Sequence, residues 1–234
     1  LHGLDGRRAL LDLAGVKYYT TDSKDNEGVP VGYEKIEKGL YENTHYLGSA
    51  FLYKNSILKK DVLKMNPLNH QEAMLQGVVT DTKIPNIKTI TPKKRMTSLP
   101  YRVEAKDVHL TKKRISVKKE KGALILHFKK PMKGELYLWM NGLKIKEADK
   151  SMSSLIFGTS SDIWCRGQKK GDLRVSDYEK TATVLSSYHY WYAPKDGGTC
   201  YLGKSEEGYD SVKIVFAKPA EYTYKSIGVY ENDT

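Results

Sequence analysis

The residues best suited to bind a ligand are nine cations clustered between positions 112 and 133. The cluster spans about three predicted strands, and on adjacent strands these side chains would form one positive face able to meet polymer phosphates or lipid headgroups. The same pattern is typical of a solvated sheet edge, where lysines prevent sheet-to-sheet aggregation. No nucleic-acid-binding motif accompanies the charge, so nucleic acid is not an expected partner. The candidate anion-binding residues are Lys112, Lys113, Arg114, Lys118 and Lys119.

A set of aromatic residues forms a second candidate site, for a glycan. Sugars present C–H faces that lie against aromatic rings, while the polar tip of a tyrosine stays wet. In residues 187–192, strand alternation puts Tyr188 and Tyr190 on one face and Trp191 on the other. One of those faces must belong to the core, so core packing is the competing interpretation of each ring. The candidate glycan-binding residues are Trp139, Trp164, Tyr188, Tyr190 and Trp191.

No pattern in the sequence assigns catalysis, a metal or a cofactor. The six histidines are scattered, and the chain has neither a CxxC nor an HExxH motif. Carboxylates such as Glu206 with Glu207, or Glu72 with Asp81, are the right residue type for glycoside hydrolysis, but the sequence does not give their separation. We therefore predict no catalytic residue, no metal site and no cofactor.

Composition points to a water-soluble piece of a larger protein with anionic partners. The chain has 234 residues, a net charge of +11 and 17 tyrosines, and the charge favours polyanions. No apolar run approaches the roughly 20 residues of a membrane span. The chain opens at Leu1 without an initiating Met or a signal peptide, as an excised fragment would. An oxidising compartment would permit the only two cysteines, Cys165 and Cys200, to pair, and that question stays open.

Element patterns predict a small α+β region over residues 1–98 and a β-sandwich domain, jelly-roll-like, over residues 99–234. Helices are expected near residues 7–14 and 67–77, with Pro67 in the first turn and Gly77 as the stop. A strand is expected at residues 50–53. From Tyr101 onward, short alternating segments are separated by turn signals such as Asn141-Gly142, which is typical of a mainly β sandwich.

Several segments of the first 80 residues resemble, in order, recurrent blocks of YfhO-type bacterial membrane proteins. The resemblance covers little of the remainder, which fits the family as a divergent extracytoplasmic region. The matching segments are Leu10 to Tyr19, Gly32-Tyr33, Tyr41-Glu42-Asn43, Leu47 to Tyr53, and Asn66 to Gly77.

The resemblance implies a polytopic membrane protein similar to glycosyltransferases that use lipid-linked sugars to decorate teichoic-acid-type polymers outside Gram-positive cells. The family's catalytic carboxylate is expected in an early loop near the membrane, and no segment here matches such a loop. The resemblance thus implies a non-catalytic domain at the extracytoplasmic face of the cell membrane. Its expected partners are a glycan or anionic cell-wall polymer and the membrane-embedded rest of its own chain. The alternatives are a structural or protein-interaction domain, and a secreted carbohydrate-active enzyme of sandwich fold.

Overall fold

The computed structural model describes residues 7–22, 29–146, 160–169, 180–185 and 197–232. The chain divides into two compact units, one extending to Thr97 and the other running from Ser98 to Asn232.

The first unit combines three short helices with two small sheets. One sheet is antiparallel with strand order β1-β3-β2, and the other is parallel with order β5-β4-β6. The helices are α1 (Arg8–Leu13), α2 (Lys59–Val62) and α3 (Pro67–Met74). The strands are β1 (Tyr18–Thr20), β2 (Tyr33–Glu37), β3 (Leu40–Asn43), β4 (Asn55–Leu58), β5 (Val78–Thr80) and β6 (Lys88–Thr89).

Helix α3 begins where the sequence predicts and ends three residues earlier. The Asn66 side chain caps its first turn by accepting a hydrogen bond from the Asn69 backbone N–H at 2.8 Å, and Pro67 needs no N–H partner there. The helix ends at Met74, and Gly77 has a different role from the predicted stop. A Cβ at Gly77 would lie 2.8 Å from the Asn55 carbonyl oxygen, so glycine allows the backbone to pass close to strand β4.

The strand predicted at residues 50–53 is absent: this described segment is irregular, and Leu52 is 97% exposed. Its apolar and aromatic composition favoured a strand, but the segment pairs with none of the strands of the described residues. The prediction was therefore wrong because β propensity reflects packing on a sheet, which this segment lacks.

The second unit is a β-sandwich built from three antiparallel sheets, which confirms the predicted fold class. Strand β7 (Met96–Leu99) leads into it from the first unit. Sheet I has the order β16-β12-β19-β7, sheet II the order β15-β14-β17-β11-β8, and sheet III the order β13-β18-β10-β9. The other strands are β8 (Arg102–Lys106), β9 (Val108–Leu110), β10 (Arg114–Val117), β11 (Ala123–Met132), β12 (Glu135–Asn141), β13 (Lys144–Ile145), β14 (Ser160–Gln168), β15 (Lys180–Leu185), β16 (Gly197–Gly203), β17 (Tyr209–Phe216), β18 (Ala220–Thr223) and β19 (Ser226–Asn232).

One hydrophobic core is shared by the inward faces of all three sheets. The predicted alternation in β11 and β12 is confirmed, because Leu124 and Leu126 lie in this core together with Leu136 and Leu138. Sheet III contributes Ile115, Val117, Ile145 and Tyr222 from three of its strands. The residues between these apolar positions lie on the opposite faces of the sheets, and the exposed and half-buried ones among them form the candidate binding surfaces.

Candidate binding surfaces

A cationic face lies on the outer side of sheet III. Arg114 of β10 is opposite Thr223 of β18, and Thr223 is in turn opposite Lys144 of β13. Because neighbouring strands are about 4.8 Å apart, the Cα atoms of Arg114 and Lys144 are separated by about 10 Å. Lys146 follows β13 on the same side, with its backbone N–H bonded to the Glu221 carbonyl. We define the cationic face as Arg114, Lys118, Lys144 and Lys146 around Glu221.

Glu221 is the carboxylate at the centre of this face. Its Oε2 atom is 3.1 Å from Lys146 Nζ. The Lys146 ammonium, by hydrogen bond and charge, is the main cause that lowers the pKa of Glu221, and the charges of Arg114 and Lys118 lower it further. The positive potential of Lys146, Arg114 and Lys118 thus acts on one carboxylate of the sheet.

The predicted anion-binding residues are divided among several places. Arg114 and Lys118 belong to the cationic face, whereas Lys112 and Lys113 lie in the turn between β9 and β10. Lys119 follows β10 and forms an ion pair with Asp107 at 3.2 Å. The sequence analysis did not include Lys144 and Lys146 among the anion-binding candidates. These two lysines lie on the same face as Arg114 only because strand β18 pairs with both β10 and β13.

The remaining cations of the predicted cluster lie along or next to strand β11, which belongs to sheet II. This strand has ten residues and so extends about 30 Å. Lys121 precedes its first residue, whereas Lys129, Lys130 and Lys133 lie at or beyond its far end. The nine cations therefore occupy turns and strand ends on two sheets rather than one continuous face.

An aromatic pair lies on the outer side of sheet I. Trp139 of β12 and Tyr230 of β19 have ring centroids 6.1 Å apart, and both side chains are half-buried. Gly228 is directly opposite Trp139. A Cβ at Gly228 would lie 2.8 Å from the Tyr230 ring, so the glycine lets that ring lie across the strand beside Trp139. We call Trp139 and Tyr230 the aromatic pair.

A buried polar cluster lies on the same side of sheet I. The Tyr137 hydroxyl donates to Glu135 Oε1 at 2.7 Å, and Asn232 Nδ2 donates to Glu135 Oε2 at 3.4 Å. Tyr201 packs on Tyr137 with ring centroids 5.2 Å apart. Glu135 is 1% exposed. Since this carboxylate is enclosed and accepts hydrogen bonds from protein donors, its role in the described arrangement is to order the sheet.

The predicted glycan-binding residues do not come together. Trp164 lies on β14 between Ile163 and Cys165, whose side chains are in the core, so Trp164 points outward from sheet II. Trp139 points outward from sheet I, and the shared core separates the two rings. The predicted residues Tyr188, Tyr190 and Trp191 lie outside the described residues.

The first unit contains a buried polar network that the sequence did not predict. Arg8 of α1 and Glu72 of α3 approach to 3.9 Å, and both are buried. Asn43 Nδ2 donates a 2.8 Å hydrogen bond to buried Asp12. Burial raises the pKa of both carboxyl groups, while the Arg8 charge acts in the opposite direction on each. Glu72 and Asp81, which the sequence analysis named as a possible catalytic pair, have separate partners: Glu72 lies next to Arg8, and Asp81 forms an ion pair with Lys59 at 3.3 Å.

The described residues show neither a cluster of metal-ligating side chains nor a candidate membrane-spanning helix. Among them, no three His, Cys, Asp or Glu side chains gather as a possible metal site. None of their helices has the length and apolar character needed to cross a bilayer.

These features define the class of the molecule: a β-sandwich domain with outward-facing cationic and aromatic surfaces, preceded by a small α+β unit. The chain belongs to the family described as bacterial membrane protein YfhO, whose model matches residues 1–234. The resemblance read from the sequence is thereby confirmed.

Solved structures with similar backbones include other β domains. One is an F5/8 type C domain of a Bacteroides fragilis protein, at 10% identity and a TM-score of 0.35, covering 61% of this chain and 100% of that one. Another is described as "CBM4 structure and function", at 10% identity and a TM-score of 0.29, covering 56% of this chain and 76% of the other. No curated protein matches the chain.

Proposed function

We propose that the second unit binds an anionic glycan polymer at the extracytoplasmic face of the membrane and positions it for the membrane-embedded part of the same protein. A phosphate-bearing cell-wall polymer of the teichoic-acid type has the chemistry that suits it. The unit itself acts by binding, and the chemical step belongs to the glycosyltransferase-like membrane portion.

The cationic face is the observation that carries this proposal. It gathers Arg114, Lys118, Lys144 and Lys146 on one side of sheet III, and its Arg114 guanidinium can engage a phosphate through two parallel hydrogen bonds. The lysines add mobile point charges that follow a flexible polymer. A polymer with phosphates at regular intervals could engage Arg114 and Lys144 together, because about 10 Å separates their Cα atoms across strand β18.

The aromatic pair supports sugar binding as a second contact. Trp139 and Tyr230 are half-buried, so part of each ring remains open to a sugar face. A secreted carbohydrate-active enzyme is less well supported, since Glu135, a carboxylate on the same side of sheet I as these rings, is enclosed. A purely structural or protein-interaction domain remains the alternative that the following test distinguishes.

The decisive experiment compares two triple variants of equal charge. One replaces Arg114, Lys118 and Lys146 by Ser, and the matched control replaces Lys129, Lys130 and Lys133 by Ser. Binding to poly(glycerol phosphate) is measured by calorimetry at low and physiological salt, with an uncharged glycan as a second probe.

The first variant should weaken binding about 10- to 100-fold, since each cation near an anionic surface contributes about 1 kcal/mol. The control should retain most of the affinity, and added salt should weaken the wild-type complex because it shortens the screening length. Equal losses in both variants would mean that only net charge matters. If the wild-type chain shows no salt-sensitive binding, the structural alternative is favoured.

A further inference from the structure

The two cysteines of the chain lie together in the core of the sandwich. Cys165 is on strand β14 of sheet II, where it is opposite Ile214. Cys200 is on strand β16 of sheet I, where it is opposite Leu138. Both side chains belong to the same hydrophobic cluster, with exposures of 0% and 3%. Thirty-five positions separate them in sequence, and the packing of two different sheets brings them together.

The two thiols are free and interact directly. A hydrogen bond with the Cys200 thiol is the main cause that raises the pKa of Cys165, and burial adds to it. A raised pKa keeps the thiol protonated and therefore unreactive in the folded unit. Both side chains already lie in one cluster of the core, where the packing of the two sheets holds them together, and a disulfide would join their sulfurs at about 2.05 Å.

We propose that Cys165 and Cys200 form an oxidation site that closes a disulfide between strand β14 of sheet II and strand β16 of sheet I. In this reaction both S–H bonds are lost, one S–S bond forms, and two protons and two electrons leave the pair. The acceptor is a disulfide of the thiol–disulfide exchange class, which is reduced to two thiols. In the cell this step needs the proposed extracytoplasmic location, whereas the site itself depends only on the packing of the two sheets.

A metal site is a poorer interpretation of the same pair. A structural zinc ion takes four ligands, and two thiolates supply half of them. Within the described ranges, no group of three His, Cys, Asp or Glu side chains surrounds such a position. An apolar core also favours a neutral disulfide over two buried thiolates.

Burial determines when the bond can form. A folded pair with exposures of 0% and 3% is closed to an oxidant, so exchange takes place while the sheets are still open. Once the sandwich closes over the disulfide, external reductants are excluded in the same way. The redox state of the pair is thus set during folding and then kept.

The test uses the whole chain, which has two cysteines and hence one possible intramolecular pairing. The reduced, unfolded chain is refolded in a mixture of reduced and oxidised glutathione, then unfolded without reductant for thiol titration and intact mass measurement. We expect no titratable thiol and a mass lower by two hydrogen atoms. We also expect the melting temperature to be about 10 °C above that of the chain refolded with reductant.

The Cys200→Ala variant is the control, and its melting temperature should be the same with and without reductant. If alanine prevents folding, Cys165→Val serves the same purpose from the other sheet. Folded chains that keep two titratable thiols, or that form only intermolecular dimers, would overturn the proposal.

Discussion

Replacing Arg8 by Met should destabilise the first unit more at neutral pH than at mildly acidic pH. Arg8 Nη2 lies 3.9 Å from Glu72 Oε1, and the Glu72 side chain is 1% exposed. Burial raises the pKa of Glu72, and the charges of Arg8 and Arg95 oppose that rise, while the charge of Asp12 adds to it. Removing Arg8 therefore leaves a buried carboxylate whose charged form is poorly stabilised. Methionine keeps most of the apolar stem, so the substitution isolates the charge.

The sign of the pH effect follows from proton binding. A carboxyl group whose pKa is raised in the folded state holds its proton more tightly there, so stability falls as pH rises from the unfolded pKa through the folded one. In the Arg8→Met variant that window extends to higher pH. Asp12 changes in the same direction, because burial raises its pKa and Arg8 and His45 oppose the rise.

The loss of unfolding free energy in the Arg8→Met variant can be estimated from the burial of the Arg8–Glu72 ion pair. Removing one partner of a buried ion pair costs about 3–5 kcal/mol. The separation of 3.9 Å exceeds hydrogen-bond distance, so the lower end, about 3 kcal/mol at neutral pH, applies. Because the pKa of Glu72 is raised, mildly acidic pH favours its protonated form more than neutral pH does, so a smaller loss of stability should remain there.

Urea unfolding at pH 5 and 7.5 measures both values. All the described helices lie in the first unit and the three tryptophans in the second, so helical circular dichroism and tryptophan fluorescence report on the two units separately. The control is Lys17→Met, which breaks the half-exposed Lys17–Glu42 pair at 3.3 Å and should cost less than about 1 kcal/mol at both pH values. An Arg8→Met loss of equal size at the two pH values would refute the reasoning.

Two other substitutions test local packing. Gly228→Ala should displace the Tyr230 ring from Trp139, because the new Cβ would lie 2.8 Å from that ring; we expect a shift in tryptophan fluorescence and a several-fold loss of sugar affinity, with circular dichroism unchanged. Asn69→Leu should destabilise the first unit by about 2–4 kcal/mol in urea unfolding, since it removes the partner of both the Met96 N–H at 3.0 Å and the Met96 carbonyl at 3.2 Å in a buried site.

Local patterns predicted the parts of the fold that neighbouring residues decide. The alternation of Leu136 and Leu138 with Trp139 placed strand β12 and its inward face correctly, because side chains on a strand follow a period of two. The helix starting at Pro67 was an equally local signal. A cluster of apolar or aromatic residues alone was not enough to predict a strand, as the irregular segment with the exposed Leu52 shows.

The cationic face could not be predicted in this way, because sheet register creates it. Arg114 and Lys144 are 30 positions apart, and each pairs with Thr223, which belongs to a strand nearly 80 positions after β13. The same limit applies to Arg8 and Glu72, which meet across two helices. A residue pattern shows that a helix contains a charged residue. The oppositely charged partner that offsets the cost of burying that residue is supplied by the tertiary fold.

The buried network of the first unit includes residues from the segments that resemble YfhO-type proteins. Asp12, Asn43 and Glu72 come from three of the segments that resemble YfhO-type proteins, and the structure places all three among the buried polar residues of the first unit. Such residues need hydrogen-bonding or charged partners of particular types, because a buried polar group left unpaired costs about 1–3 kcal/mol. An exposed cation such as Lys146 faces no such requirement, since surface ion pairs contribute about 0–1 kcal/mol. The physical constraint on residue identity is therefore strong at the buried polar positions of the first unit and weak on the exposed cationic face.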